Sequence, residues 1–150
     1  MRAVIQRVSS ASVISDGLLT GSINTGLVIL LGIENGDTRE DVEWLVDKIR
    51  QMRVFQDKED KMNLSLDEAG GNILVISQFT LHASTKKGNR PSFIKAARPE
   101  QAIPLYEYFK TFMATQTGNE IQTGIFGTDM KVTLVNDGPV TIIIDSKNKE

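Results

Sequence analysis

Lys131-Val132-Thr133-Leu134-Val135-Asn136-Asp137-Gly138-Pro139-Val140-Thr141-Ile142-Ile143-Ile144 carries the strongest strand signal in the chain. Residues 131–135 and 140–144 are rich in β-branched side chains and too short for helices, so each predicts a strand. Between them, Pro139 has no N–H to give a sheet ladder, and Gly138 tolerates backbone angles that other residues avoid. The pair predicts a tight corner where two strands meet with almost no loop, and it is a candidate cis peptide. The same residues also fit a purely structural hairpin corner.

Outward from that corner, the first third of the chain reads as β structure: Arg2 to Val8, Ala11 to Ser15, an Asp16-Gly17 turn, Leu18 to Ile23, and Leu27 to Ile33. Leu27-Val28-Ile29-Leu30-Leu31 lacks alternation, which predicts a central strand covered on both faces. Asp37-Thr38 with Glu40 and Asp41 marks a helix start, and Val42, Leu45, Val46, Ile49 and Met52 recur at helical spacing with Trp44 at the edge as packing. Gln56 to Asn72 predicts a loop or loose hairpin before a buried Ile73–Ile76 strand. His82 to Ala97 predicts an exposed loop. A second helix presents Ala102, Leu105, Tyr106, Phe109, Phe112 and Met113 and stops at Gly118; Pro104 places its start nearer Ile103 than Pro99. One α/β domain over residues 1–150 follows, with a mixed, largely antiparallel sheet and two principal helices.

A 40% hydrophobic and 24% charged composition is that of a soluble globular protein, and no apolar run approaches the roughly 18 residues of a membrane helix. The N-terminus does not read as a secretory signal, so a cytoplasmic location is expected. With no cysteine and His82 as the sole histidine, disulfides, thiolate nucleophiles and clustered imidazole metal sites are excluded. A carboxylate Mg²⁺ site stays open, but no spacing demands it, and neither metal nor cofactor is expected. The net charge of −2 argues against a general nucleic-acid coat protein. Locally, however, Lys86, Lys87, Arg90, Lys95 and Arg98 lie between Ala83 and Arg98 with no acidic residue among them. Such a footprint suits contact with one limited piece of RNA, and it equally describes a solvated loop.

Ser77-Gln78-Phe79-Thr80-Leu81 follows the Ile73–Ile76 run and sits at the carboxyl end of a buried strand. Ser77, Thr80 and His82 invite a hydrolase reading. In an extended segment, though, Thr80 and His82 share one side and Ser77 takes the other, and no G-x-S-x-G elbow surrounds either hydroxyl. What the segment offers is a strand end breaking into a loop, with backbone N–H groups beside a hydroxyl and an amide. Such donors stabilise the oxyanion formed when an ester is attacked.

Three segments in this order, the opening Met1-Arg2-Ala3-Val4-Ile5-Gln6-Arg7-Val8, Ser77–Leu81 and Asn136–Thr141, closely resemble the D-aminoacyl-tRNA deacylases, and the resemblance spans essentially the whole chain. It implies three layers, two of them β with the helices on one side, in a homodimer. It implies hydrolysis of the ester joining a D-amino acid to tRNA, with glycine mischarged on alanine tRNA as a further substrate. Ser77, Gln78, Phe79 and Thr80 would line the pocket holding the ester, with backbone amides near Phe79 as oxyanion donors. Gly138 and Pro139 would enter the partner subunit's pocket as a cis unit whose carbonyls exclude an L side chain. Arg7 would hold the carbonyls of that turn, with a surface salt bridge as its other reading. Phe126 and Met130 would contact the terminal adenosine, although a plain hairpin connection would look the same. Water aided by the 2′-hydroxyl is the preferred nucleophile, because no base is evident beside Thr80. Two further functions fit the same residues: an esterase of small non-RNA esters using Thr80 or Ser77, and a non-catalytic RNA-end-binding module using the basic loop and Phe126.

Overall fold

The computed structural model describes residues 1–150. In chain order the elements are β1 (Arg2–Ser15), β2 (Leu18–Ile23), β3 (Gly26–Gly32), α1 (Arg39–Gln51), β4 (Phe55–Gln56), β5 (Met62–Leu64), α2 (Leu66–Ala69), β6 (Asn72–Ser77), a 3₁₀ turn (Phe79–His82), α3 (Pro99–Thr117), β7 (Ile121–Thr123) and β8 (Met130–Asp145). β1 organises the sheet. Its first half pairs antiparallel with β3, Arg2 opposite Gly32 and Val8 opposite Gly26, and its second half pairs with β2. β3 runs parallel to β6, and β6 parallel to β7.

The stretch 131–144 is not a hairpin, as its sequence suggested, but one long strand. Both flanks pair with β1: residues 130–136 lie opposite Ser15 to Val8, and residues 141–145 opposite Gln6 to Arg2. The register passes from Val8↔Asn136 to Gln6↔Thr141, which leaves residues 137–140 bulging opposite Arg7 alone. The two short strands predicted from β-branched content exist, yet a third strand takes both, and no local pattern reveals that partner. The Gly138–Pro139 peptide is cis, and Gly138 has φ +126°.

Side-chain alternation sorts the core onto two faces of the sheet. Ala3, Ile5, Leu27, Ile29, Leu31, Ile73 and Val75 point one way and pack with Val42, Leu45, Val46 and Ile49 of α1 and Ala102, Tyr106, Phe109 and Met113 of α3. Val28, Leu74 and Ile76 point the other way and join Val8, Ala11, Val13 and Ile23, with Met130, Val132 and Leu134 of β8 against them. β1 thus crosses from one cluster to the other between Ile5 and Val8, where its pairing with β8 is irregular. Its second half, β2 and the first half of β8 form a β layer over the far face. At Gly21 a Cβ would come within 3.0 Å of the Thr123 carbonyl and 3.1 Å of Leu74, so any side chain there would press β2 away from β6 and β7.

Two helix expectations change. α3 begins at Pro99, not near Ile103, and carries Pro104 inside it. Pro99 fits the first helical position, and the hydrogen bond Pro104 forgoes is to the carbonyl of Glu100, an exposed residue that water reaches. The polar stretch 56–72 forms the loose hairpin expected of it, a small β4–β5 pairing that begins at Phe55, and adds an unexpected four-residue helix, α2, closed by a left-handed Gly70. No helix is long and apolar enough to cross a membrane.

A polar knot ties the start of β1 to the end of β8. The α-amino group of Met1 donates to Asp37 Oδ1 at 2.7 Å and to Ser146 Oγ at 2.9 Å, all three groups being buried. Asp37 also accepts from the Glu34 N–H at 2.8 Å, and Lys147 donates to Asp41 at 2.9 Å. Burial works against ionisation of Asp41, but hydrogen bonds from Ser146, Lys147 and the Thr38 N–H outweigh it and hold the carboxyl far below the ordinary carboxylate range. A depressed folded-state value stabilises the fold at pH above the unfolded value, about 3.9 for Asp, and this contribution is lost as pH falls below it. Urea midpoints should therefore drop between pH 5 and pH 3 in the wild type. Asp41→Asn should start lower at pH 7 and fall less over that window; parallel profiles would remove Asp41 from the account.

Candidate active site

β6 ends where Ser77 pairs with Leu31, and the Gln78 N–H still donates to the Leu31 carbonyl at 2.8 Å. The chain then folds into the 3₁₀ turn, so the alternation assumed for an extended segment does not apply. Within the turn, Leu81 N–H donates to the Gln78 carbonyl and Ala83 N–H to the Thr80 carbonyl. The N–H groups of Phe79 and Thr80, the first two of the turn, have no acceptor in the chain. The Gln78 side-chain amide donates to Thr80 Oγ1.

His82 is held elsewhere. It is 3% exposed, with Nε2 3.0 Å from the Gly32 carbonyl and Nδ1 3.4 Å from Glu34 Oε2. Its role is to fasten the turn to the end of β3, and neither ring nitrogen is left for Ser77 or Thr80.

Ser77, Gln78 and Phe79 form one wall of a cavity enclosing about 410 Å³ of space open to solvent, and Phe126 and Gly127 form another. Leu31, Ile33, Ala97 and Ala102 supply the apolar lining. An apolar depression with a few convergent polar groups is the usual form of a small-ligand site. Phe126 rests on the Tyr106 ring at 5.6 Å, and the Tyr106 hydroxyl donates to the Val75 carbonyl at 3.2 Å. Burial, with the Glu107 carboxylate adding to it, pushes that hydroxyl well up in pKa and keeps it a neutral donor. Thr80 is exposed beside this cavity and does not line it. Met130 lies outside it too: at the start of β8 it packs with the second core cluster, its sulfur against Gly124. No motif marks Leu31, Ile33, Ala97 or Ala102 as cavity lining, and Tyr106, which its spacing places on the core face of its helix, sits there and supports Phe126.

Arg7 is 5% exposed and its guanidinium is committed to main chain, Nε donating to the Asp137 carbonyl at 3.0 Å and Nη1 to the Val54 carbonyl at 2.6 Å. The Asp137 carboxylate stands 3.7 Å from Nε. Arg7 therefore fastens the 137–140 bulge to the segment after α1. Val54 offers only a backbone carbonyl, a role that no side-chain pattern announces.

These two groups of residues do not meet within one chain. Ser77 pairs with Leu31, which pairs with Ala3, whereas Arg7 pairs with Leu27 four residues away. Along the strands this is about 13 Å, and β6 lies two strands from β1. Neither Gly138 nor Pro139 lines the Ser77–Phe79 cavity. No cluster of three or more His, Asp or Glu side chains is placed to hold a metal ion.

Comparison with known proteins bears on this site. Residues 4–145 match a family model described as D-Tyr-tRNA(Tyr) deacylase. Proteins named D-aminoacyl-tRNA deacylase from Flavobacterium johnsoniae and Bacteroides fragilis (strain YCH46) are 60% and 62% identical over 150 residues, covering the whole of both chains in each case. A solved structure described as a c-Myc DNA unwinding element binding protein superposes with a TM-score of 0.91 at 40% identity, covering 97% of this chain and 98% of that one. Another, described as a probable eukaryotic D-amino acid tRNA deacylase, has a TM-score of 0.80 at 17% identity over 95% and 97% of the two chains, and so shares the fold. With the family match running from Val4 to Asp145 and relatives aligned end to end, the chain belongs to the D-Tyr-tRNA(Tyr) deacylase family.

Proposed function

We propose that this chain hydrolyses the ester joining a D-amino acid to the 3′-terminal adenosine of tRNA, with glycine mischarged on alanine tRNA as a second substrate. In a member of this family, the observation that carries the reading is the pair of unpartnered N–H groups at Phe79 and Thr80 beside an apolar cavity. When water attacks the ester carbonyl, its oxygen takes up negative charge, and two fixed main-chain donors stabilise that charge without reorganising. An aminoacyl ester is already activated, so the reaction places little demand on a general base. None is at hand, since His82 is bound to Gly32 and Glu34. Thr80 accepts from Gln78 and has no partner that would take its proton, which favours water aided by the substrate's 2′-hydroxyl over a covalent threonyl ester. Ser77 and Gln78 supply polar contacts to the substrate from the cavity wall. Phe126 presents a ring for the terminal adenine, and stacking of this kind contributes about 1–3 kcal/mol per base. Met130 acts on that contact indirectly by packing beneath Gly124.

Chiral selection is assigned to a homodimer in which Gly138 and Pro139 of one protomer close the cavity of the other. A wall of main chain admits hydrogen where a D residue or glycine presents it and clashes with an L side chain. Two features favour this assembly: the separation of the two groups within a protomer, and the outer edge of β8, which pairs with β1 only and leaves Val135 and Ile143 exposed. Its place of action is the cytosol, where aminoacyl-tRNA is made.

Single-turnover hydrolysis of matched D- and L-tyrosyl-tRNA tests the reading, with release from the D ester alone expected and equal inertness toward both overturning it. The oxyanion donors are tested separately. Phe79→Pro removes one N–H at a 3₁₀ position whose φ proline accepts, whereas Phe79→Ala keeps it. The Pro variant should turn over about 10²–10³-fold more slowly than the Ala variant. Equal rates would place the donors elsewhere.

A further inference from the structure

Residues 84–95 carry Lys86, Lys87, Arg90 and Lys95 and no carboxylate, on a chain whose net charge is −2. All four are exposed. None forms an ion pair, unlike Arg2, Arg7, Arg50 and Lys147 elsewhere on the molecule. They are also gathered: Lys86, Lys87, Arg90 and Lys95, with Ser84 and Ser92, line a single hollow.

The loop that presents them is pinned at its base. Ser84 and Ser92 exchange main-chain hydrogen bonds at 2.8 and 2.9 Å. Asn35 donates from its N–H to the Lys95 carbonyl at 2.9 Å and from its side chain to the Ile94 carbonyl at 3.0 Å. Phe93 meets Phe79 edge to face, ring centroids 5.1 Å apart, so the cationic hollow adjoins the cavity wall directly. Four uncompensated cations on a held loop bind an extended polyanion with less ordering cost than the same charges on a free chain.

Resting on the deacylase reading, we infer that the Ser84–Lys95 hollow binds the phosphodiester backbone of the RNA just upstream of its esterified 3′ end. The ester sits at Phe79, and the chain that leaves it is a run of phosphates with no other sugar or base chemistry obligatory for contact. Lysine and arginine side chains contact phosphates without reading sequence, which suits an enzyme that accepts many tRNAs.

The test compares kcat/KM on D-tyrosyl-tRNA with kcat/KM on 2′(3′)-O-D-tyrosyl-adenosine, which has the ester and the base but no phosphodiester. The variant carries Lys86→Ala, Lys87→Ala, Arg90→Ala and Lys95→Ala together. On tRNA it should lose about tenfold or more at 50 mM salt, and its log–log salt slope should be shallower by about 3–4. On the adenosine ester, wild type and variant should be equal, which also reports an intact cavity. Unchanged tRNA kinetics and slope would overturn the inference. Equal loss on both esters would overturn it too, because the loop would then act only through Phe93 on the catalytic turn. Wild-type inertness toward both esters is a different failure: it removes the deacylase reading and this inference with it.

Discussion

The structure depends on the pairing of β8 with β1 along nearly its whole length and on its interruption opposite Arg7. That ladder holds the last strand against the first, carries β1 from one core cluster into the other, and leaves four residues with no partner strand. Those residues project because their hydrogen-bonding groups have been released from the sheet. They stay ordered because Arg7 replaces the ladder with a side-chain donor to the Asp137 carbonyl. A buried arginine without acceptors would be strongly unfavourable, so Arg7 and the main-chain carbonyls of Asp137 and Val54 stabilise one another.

The end of the molecule that carries the candidate site uses the opposite device. Where the parallel β3–β6 pair stops, the chain tightens into a 3₁₀ turn rather than continuing, and the two leading N–H groups of that turn are left over. One end of the sheet thus exposes donors and the other presents carbonyls. In the proposed reaction the donors meet the oxygen that gains charge, and the carbonyls meet the α-carbon whose configuration must be judged. Neither job requires a titrating side chain. This is how the proposed site can work without a free histidine, and it predicts chemistry insensitive to most conservative side-chain changes.

Much of this was legible in the sequence, for identifiable reasons. Strands β3 and β6 were announced by unbroken apolar runs, β2 by the Asp16-Gly17 turn before it and helix α1 by helical spacing, signals that lie within the element or beside it. The mixed sheet with two main helices followed from their order. The Gly138-Pro139 segment was recognised as unusual, but its context was misread as a hairpin because the strand that takes both flanks lies more than 110 residues away. Pro104 misplaced the start of α3, since sequence does not tell whether a lost hydrogen bond falls on an exposed carbonyl. Ser77, Gln78, Phe79 and Phe126 converge on one cavity, while Met130, four residues after Phe126, turns to the other core face as the strand begins. Contacts made by main-chain groups, such as Val54 to Arg7, have no sequence signature at all.

If a complete site takes its oxyanion donors from one protomer and its chiral wall from the other, mixed dimers will reveal it. Phe79→Pro chains, disabled in the cavity but intact at the bulge, would be co-expressed in excess with Arg7→Met chains, whose bulge has lost its anchor. The only working site in the heterodimer then combines the Arg7→Met cavity with an intact bulge. D-over-L discrimination, relaxed in Arg7→Met homodimers, should return in these heterodimers. Discrimination no better than that of the Arg7→Met homodimer would show that each protomer selects its substrate alone and would contradict the account.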